Sequence, residues 1–417
     1  MEQAEYQNFC QILKEELIPA EGCTEPIAVA YAAAVARKWL GMQPEHIRIG
    51  VSGNIVKNVM GVYIPHCGTM RGVPAAAAIG ALAGDAERAL EALSGVEQEQ
   101  IEQAKQFLKE NRCKMYVLDG VEGLRIIVEA FSGEHSAFCE INHTHTNVVR
   151  IIKDGTTVFQ ADAKTEQTGV QTDRSSLTVE RIVEFANEVR LEDVSEIIDR
   201  QIQCNLKIAE AGLNGEWGNG IGKLLRSRGD LYRAYASAAS DARMSGCNLP
   251  VVIVSGSGNQ GATASLPVVQ YAKQHGISDE KMKRALVLSN LIAIHLKSGI
   301  GRLSAYCGAV SAATGSGAAM TYLAGGTVVQ IQATVTNSIA TSSGIVCDGA
   351  KPSCAAKIAV SLEGAKIAHE MAMVGEQFEP GTGIVKGDVE STIDAVGQIA
   401  SEGMCVTDKE ILKIMTA

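Results

Sequence analysis

The sequence predicts an α+β protein: an N-terminal α/β domain with an antiparallel sheet over residues 1–190, then a mostly helical domain over 191–417. Three observations lead there. Residues 113–160 alternate apolar and polar side chains between Gly-containing turns, the pattern of hairpin-connected strands. Elsewhere the apolar residues recur at helical spacing. The hydrophobic share is 46% but the aromatic share only 4%. The interior must therefore be built from Ala, Val, Ile, Leu and Gly, which let helices approach closely. A chain of 417 residues is long enough for two domains of ordinary size.

In chain order, residues 3–18 read as a helix with Phe9, Ile12, Leu13 and Leu17 on one face, ended by Ile18-Pro19. The turn EGCTEP (Glu21 to Pro26) precedes an alanine-rich helix that closes at Gly41. Thr24 is its expected N-cap, and Pro26 suits the first turn. HIRIGVSG and VMGVYIP, between His46 and Ile64, both read as strands, with Asn54, Lys57 and Asn58 in the loop between them. A small-residue helix follows CGTMRGVP, and residues 97–110 form a helix with a charged outer face. CKMYVLDG, LRIIVEAFSG, SAFCEINHTHTNVVRIIKDG and TTVFQ supply the sheet, with helices on one face. Residues 162–176 are polar and read as a linker. From Thr178 the chain reads as helix and Gly-rich loop.

Composition excludes several classes. A net charge of −10 argues against a nucleic-acid binder that works by phosphate neutralisation. No uninterrupted apolar stretch reaches about 18 residues, so no membrane span is expected. The start, MEQAEYQNF, is acidic and polar, unlike a signal peptide. Eleven cysteines, an odd number, then fit a reducing, cytoplasmic setting with metal or catalytic thiols better than a disulfide scaffold. Cys10, Cys67, Cys113, Cys139, Cys204, Cys247 and Cys405 carry no motif and read as core fillers.

Several motifs lose to simpler readings. GSGNQG (Gly256 to Gly261) fits the dinucleotide pattern, but Pro267 falls within the following helix, and Asp279 and Glu280 open another helix rather than end a strand. The better reading is a backbone nest that holds an anion, with Ser255, Ser257 and Asn259 as added donors. GNGIGK (Gly218 to Lys223) has Leu224 where a phosphate loop needs Ser or Thr. His143 and His145, two apart, share a strand face and suit a solvated face better than a metal pair. No H-E-x-x-H or Cys-x-x-Cys appears, so the commoner zinc signatures are missing.

The stretch from Tyr306 to Lys357 holds Cys307, Cys347 and Cys354 among small residues. Three thiols are one short of a closed tetrahedral site. An iron–sulfur cluster held by three cysteines leaves one iron open as a Lewis acid. Spacing alone also allows three packed thiols. Lys297 and Lys351 lie close in sequence and could offset cluster charge.

The segments Cys307-Gly-Ala with AATGSG, Gly-Ile-Val-Cys347-Asp348-Gly and Pro352-Ser-Cys354 resemble the cluster-binding segment of the iron–sulfur L-serine dehydratases. EGCTEP, SGNIVKN (Ser52 to Asn58) and SGSGNQG (Ser255 to Gly261) resemble more specifically the related L-cysteine desulfidases, and the likeness covers nearly the whole chain. The resemblance implies a pyridoxal-independent lyase with a [4Fe–4S] cluster on Cys307, Cys347 and Cys354. It implies conversion of L-cysteine to pyruvate, ammonia and hydrogen sulfide. A thiolate is the softer match to iron than a hydroxyl, which favours cysteine over serine. The expected substrate-binding residues are Thr24, Asn54, Lys57, Ser257, Gly258 and Asn259. The expected catalytic residue is Cys23, its pKa lowered by the helix N-terminus, acting as base or as an exchangeable fourth ligand. Glu25 is a rival base, and a packed thiol is the plain alternative for Cys23. An L-serine dehydratase and a non-catalytic iron–sulfur redox sensor remain open readings. The partner expected is a small amino acid, with no nucleic acid or membrane; a homodimer is left open.

Overall fold

The computed structural model describes residues 1–118, 120–121, 123–162, 172–301 and 304–416. Helix α1 (Gln3–Glu16) buries Phe9, Ile12 and Leu13 and gives way to the short strand β1 (Pro19–Glu21). Helix α2 (Thr24–Leu40) follows, with Cys23 rather than Thr24 at its N-cap. Thr24 is the first helical residue instead, and its hydroxyl donates to the Gly256 carbonyl, 2.8 Å away.

Strand β2 (His46–Ser52) runs directly into helix α3 (Gly53–Val59). Here the sequence reading is corrected. VMGVYIP forms no strand, and Asn54, Lys57 and Asn58 lie on a helix instead of a loop. Ile55, Val56 and Val59 are all buried, and their i, i+1, i+4 spacing suits one helical face. Helix α4 (Val73–Ala83) starts with Pro74 in its first turn, and α5 (Gln98–Lys109) is closed by a Glu97–Gln100 capping box.

Strands β3 (Cys113–Leu118), β4 (Arg125–Ser132), β5 (His135–Asn142), β6 (Val148–Lys153) and β7 (Thr156–Gln160) complete a sheet ordered β3-β2-β4-β5-β6-β7. Every neighbouring pair is antiparallel except β2 and β3, which are parallel. The sheet is therefore mixed, not antiparallel throughout. The reason is the connection: α3, α4 and α5 separate β2 from β3 and return the chain to run in the same direction, whereas short turns reverse it. Helix α2 lies across β4 and β5 with its alanines buried. His143 and His145 belong to the β5–β6 turn, and His145 is buried instead of solvated.

The rest of the chain is helical, as expected, apart from one three-residue strand. Its elements are α6 (Val179–Glu188), α7 (Ser195–Asn214), α8 (Ile221–Ser227), α9 (Leu231–Met244), β8 (Pro250–Val252), α10 (Gly258–Gln274), α11 (Asp279–Ile300), α12 (Gly308–Leu323), α13 (Val328–Ser342), α14 (Cys354–Met373), α15 (Val389–Gln398) and α16 (Cys405–Thr416). Helix α12 is buried almost throughout. Its Gly, Ala, Ser and Thr side chains let α11, α13 and α14 pack around it. Helix α10 continues through Pro267. What separates it from a dinucleotide fold is β8, whose partner is the antiparallel β1 and not a parallel strand. The expected linker at 162–176 lies outside the described residues over 163–171.

Elements from both sides of residue 190 share the two large hydrophobic cores. The apolar face of α1 joins the helical core, while Val251 and Ile253 join the core beneath the sheet. Helix α16 packs against α3. The β1–β8 pairing brings the EGCTEP loop beside the SGSGNQG loop, and the site forms where they meet.

Candidate active site

A cavity of about 100 Å³ gathers side chains from six stretches of the chain. Cys23, Thr24 and Glu25 come from the start of α2, Asn58 from α3, and Arg243 from the end of α9. Ser257 and Asn259 come from the start of α10. Cys307, Cys347 and Cys354 complete the wall together with Lys297 and Lys357.

The three cysteines are arranged by backbone pairing and by helix starts. Cys307 N donates to the Ile345 carbonyl at 3.1 Å and Cys347 N to the Ala305 carbonyl at 2.7 Å, so two cysteine segments lie side by side. Cys307 is the N-cap of α12, and Cys354 is the first residue of α14. Cys354 Sγ accepts from the Lys351 amide at 3.4 Å. Between Cys347 and Cys354, Gly349 has φ +99°, and a Cβ there would stand 2.2 Å from the Lys57 carbonyl, so only glycine suits this turn. Burial, then repulsion from Cys347, pushes the Cys307 thiol up to about 12, and the same causes push Cys354 to about 11. Lys357 opposes both shifts; its ammonium pairs with Asp348 and donates to the Val346 carbonyl at 2.9 Å. Among the described residues no three His, Cys, Asp or Glu side chains are placed to hold a metal ion.

The start of α2 holds a tight acid–thiol pair. Cys23 Sγ donates to Glu25 Oε2 at 3.1 Å, and Asn58 Nδ2 donates to Glu25 Oε1 at 3.1 Å. His145 Nε2 stands 3.9 Å from the same Oε1, an electrostatic neighbour beyond hydrogen-bond reach. Burial pushes the Glu25 carboxyl up, but His145 and the Cys23 thiol overcome it and hold the group down at about 2. The Cys23 thiol moves the other way: burial first, then the adjacent Glu25 charge, push it well above its ordinary value. The expected lowering of the Cys23 pKa by the helix N-terminus is thus corrected, and the thiol carries its proton.

The expected binding residues divide between two places. Thr24, Ser257 and Asn259 line the cavity. Thr24 ties the two loops together through Gly256, and Ser257 caps α10. Gly258 is not part of the wall; it lies against Arg243. Asn54 and Lys57 line a separate cavity of about 510 Å³ bounded also by α16, where Lys57 pairs with Asp408. Sequence reasoning passed over Arg243 and Lys357 and gave Asn58 and His145 no role in the site. Asn58 had a signal in the SGNIVKN motif and His145 in the paired histidines.

Comparison with known proteins places this architecture. A model described as serine dehydratase alpha chain matches residues 87–413. The chain belongs to the serine dehydratase alpha chain family. Within it, the chain is 48% identical to a UPF0597 protein of Lachnoclostridium phytofermentans, over 98% of this chain and 99% of that one. It is 44% identical to a UPF0597 protein of Treponema denticola, over 100% and 99% of the two chains. It is 46% identical to a UPF0597 protein of Desulfitobacterium hafniense, over 98% and 96%. The part matching the serine dehydratase alpha chain contains the three cavity cysteines, Arg243 and the SGSGNQG loop. Cys23 and Glu25 lie before it, within the part shared with the UPF0597 proteins. No helix among the described residues is long and apolar enough to cross a membrane.

Proposed function

We propose that this chain is a pyridoxal-independent lyase that converts L-cysteine to pyruvate, ammonia and hydrogen sulfide, with a [4Fe–4S] cluster held by Cys307, Cys347 and Cys354. The observation that carries the reading is that one small cavity brings these three thiols together with the Cys23–Glu25 pair. Membership of the serine dehydratase alpha chain family supports the lyase class.

The donor set suits such a cluster. Thiolates are the ligands that iron–sulfur clusters take, and each of the three would bind a different iron, unlike a site for a single ion. Two of the cysteines sit at the starts of long helices, where partial positive charge favours thiolate, and Lys357 adds a full one. When bound, the cluster would supply a Lewis acid at an iron without a protein ligand.

The chain's own residues supply the rest. Cys23 Sγ takes the α-proton while its own proton passes across 3.1 Å to Glu25 Oε2. Asn58 fixes the carboxylate that receives it. The C–S bond breaks as the α-proton leaves, the sulfur departs as hydrosulfide and takes the proton held on Glu25 to leave as hydrogen sulfide, and the resulting enamine is hydrolysed by water to pyruvate and ammonia. Burial of Cys23, Glu25 and Cys307 keeps bulk water from competing for the proton.

The test is anaerobic purification with iron and sulfide quantified, followed by turnover of L-cysteine and L-serine. Expected are about four irons per chain, loss of iron in Cys307→Ala, Cys347→Ala and Cys354→Ala, and a higher kcat/KM for cysteine. Equal or inverted values would make the chain a serine dehydratase. Iron-free protein with full activity would overturn the reading.

A further inference from the structure

The most heavily buried cation of the site touches no carboxylate, and Glu25 acts on it only across the cavity. Arg243 is 2% exposed and ranks among the largest fully buried side chains of the molecule. It lines the cavity between the Cys23–Glu25 pair and the start of α10. A guanidinium carries five N–H groups. One goes to Asn259 Oδ1, one goes to the Gly22 carbonyl, and Nε–H has no acceptor. Among the described residues no carboxylate oxygen lies within 4.0 Å of it. A buried charge without an ionic partner in contact costs several kcal/mol, so a fold that leaves Nε–H open in a cavity wall has a use for an anion there.

The surroundings are shaped to hold this side chain. Gly258, the first residue of α10, lies against it; a Cβ at that position would stand 2.6 Å from both Cζ and Nε of Arg243. The guanidinium thus rests across a helix start, held by one loop through Gly22 and by the other through Asn259. Planar, doubly toothed donors select carboxylates over other small anions.

We propose that Arg243 is the anchor of a carboxylate subsite and binds the α-carboxylate of a small amino acid. The proposal rests on the lyase reading for what the ligand is, and on the buried guanidinium for where it binds. With the carboxylate on Arg243, the α-carbon is directed toward Cys23 and Glu25, and the side-chain sulfur toward the three cluster cysteines. The substrate class is an α-amino acid with a thiol on its β-carbon. Thiols without a carboxylate are excluded because they leave the guanidinium unpaired.

Two commercially simple probes test this on the cluster-loaded full chain by anaerobic calorimetry: 3-mercaptopropionate, which has thiol and carboxylate, and cysteamine, which has thiol and amine. In the wild type the carboxylate probe is expected to bind about tenfold or more tightly than cysteamine, the scale of a charged hydrogen-bonded pair. Arg243→Lys, which keeps the charge but loses the fork, is expected to weaken 3-mercaptopropionate by about tenfold and leave cysteamine unchanged. Gly258→Ala, which keeps the arginine but displaces it, is expected to do the same. In turnover both variants raise KM for L-cysteine more than they lower kcat, with iron content unchanged. Equal affinity of the wild type for the two probes overturns the subsite, and that measurement needs no variant. So does unchanged 3-mercaptopropionate binding in either variant that retains iron. Arginine-dependent binding of the carboxylate probe without any cysteine turnover keeps the subsite and sinks the lyase reading instead.

Discussion

Replacing Cys23 by Ala removes the sulfur that hydrogen-bonds Glu25 at 3.1 Å and little else. The residue is buried against Val62 and Met244, so the loss of one heavy atom costs about 1 kcal/mol of packing. The fold and the three cluster cysteines should survive that. Turnover should not, since a positioned base contributes at least about a hundredfold, or about 2.7 kcal/mol of barrier. Cys23→Ser should be nearly as poor: its hydroxyl can still donate to Glu25 but gives up its proton far less readily than a thiol. Glu25→Gln should fall by a similar factor, because an amide cannot receive the thiol's proton. If the two side chains act as one relay, the double variant is no worse than the poorer single one. The assay is pyruvate and sulfide release under anaerobic conditions, with iron content and thermal unfolding measured on each sample. Near-normal kcat in an iron-loaded Cys23→Ala variant would refute the relay. Loss of iron in that variant would make Cys23 a cluster ligand. Multiplicative losses in the double variant would show two independent roles.

Two further expectations concern stability. Asp408→Asn strands the Lys57 ammonium, which is 2% exposed, and should cost about 3 kcal/mol, the low end for breaking a buried pair since Asp408 keeps some solvent contact; thermal melts of this variant beside Lys57→Met/Asp408→Leu should show the double variant recovering most of the loss, and a cost below about 1 kcal/mol for the single one would discount the pair. Glu25 should give the protein an acid-sensitive limb: its folded carboxyl sits at about 2 against 4.5 ordinarily, so its contribution is full above about 4.5 and is lost as pH falls toward 2. Equilibrium unfolding across that window should be steeper for the wild type than for Glu25→Gln, and identical slopes would reject the shift.

What the sequence made legible was local chemistry. The three cysteines, the EGCTEP turn and the SGSGNQG turn are each readable because composition and spacing within a few residues define them. All but Ser255 and Gly258 of those two turns' proposed functional residues reach one cavity. What stayed hidden depends on partners far away in the chain. Arg243 sits in an ordinary helix end, and only the arrival of Gly22 and Asn259 from two other loops makes it a buried cation. Asn54 and Lys57 lie in a motif that resembles a binding loop, but helix α3 turns them toward α16 and Asp408. The parallel β2–β3 pair was missed for a related reason: hairpins announce themselves by short turns, whereas a crossover through three helices leaves no local mark on either strand.

Cys23 shows why magnitudes have to settle such readings. A helix N-terminus favours an anion by about 0.3–1 kcal/mol at an exposed site and by about 2 at best. That is at most about 1.5 units of pKa at 1.36 kcal/mol per unit. Full burial moves an ionisable group by up to about 3–5 units in the opposite sense, and a carboxylate within about 4–6 Å adds to it. Cys23 is buried and touches Glu25, so two large effects oppose one small one. Glu25 meets the same burial but has the opposite neighbours: a donated thiol, the Asn58 amide and the His145 ring. One proton shared by two adjacent groups therefore rests on sulfur, and it is the acceptor two residues further along, not the helix, that decides where Cys23 can send it.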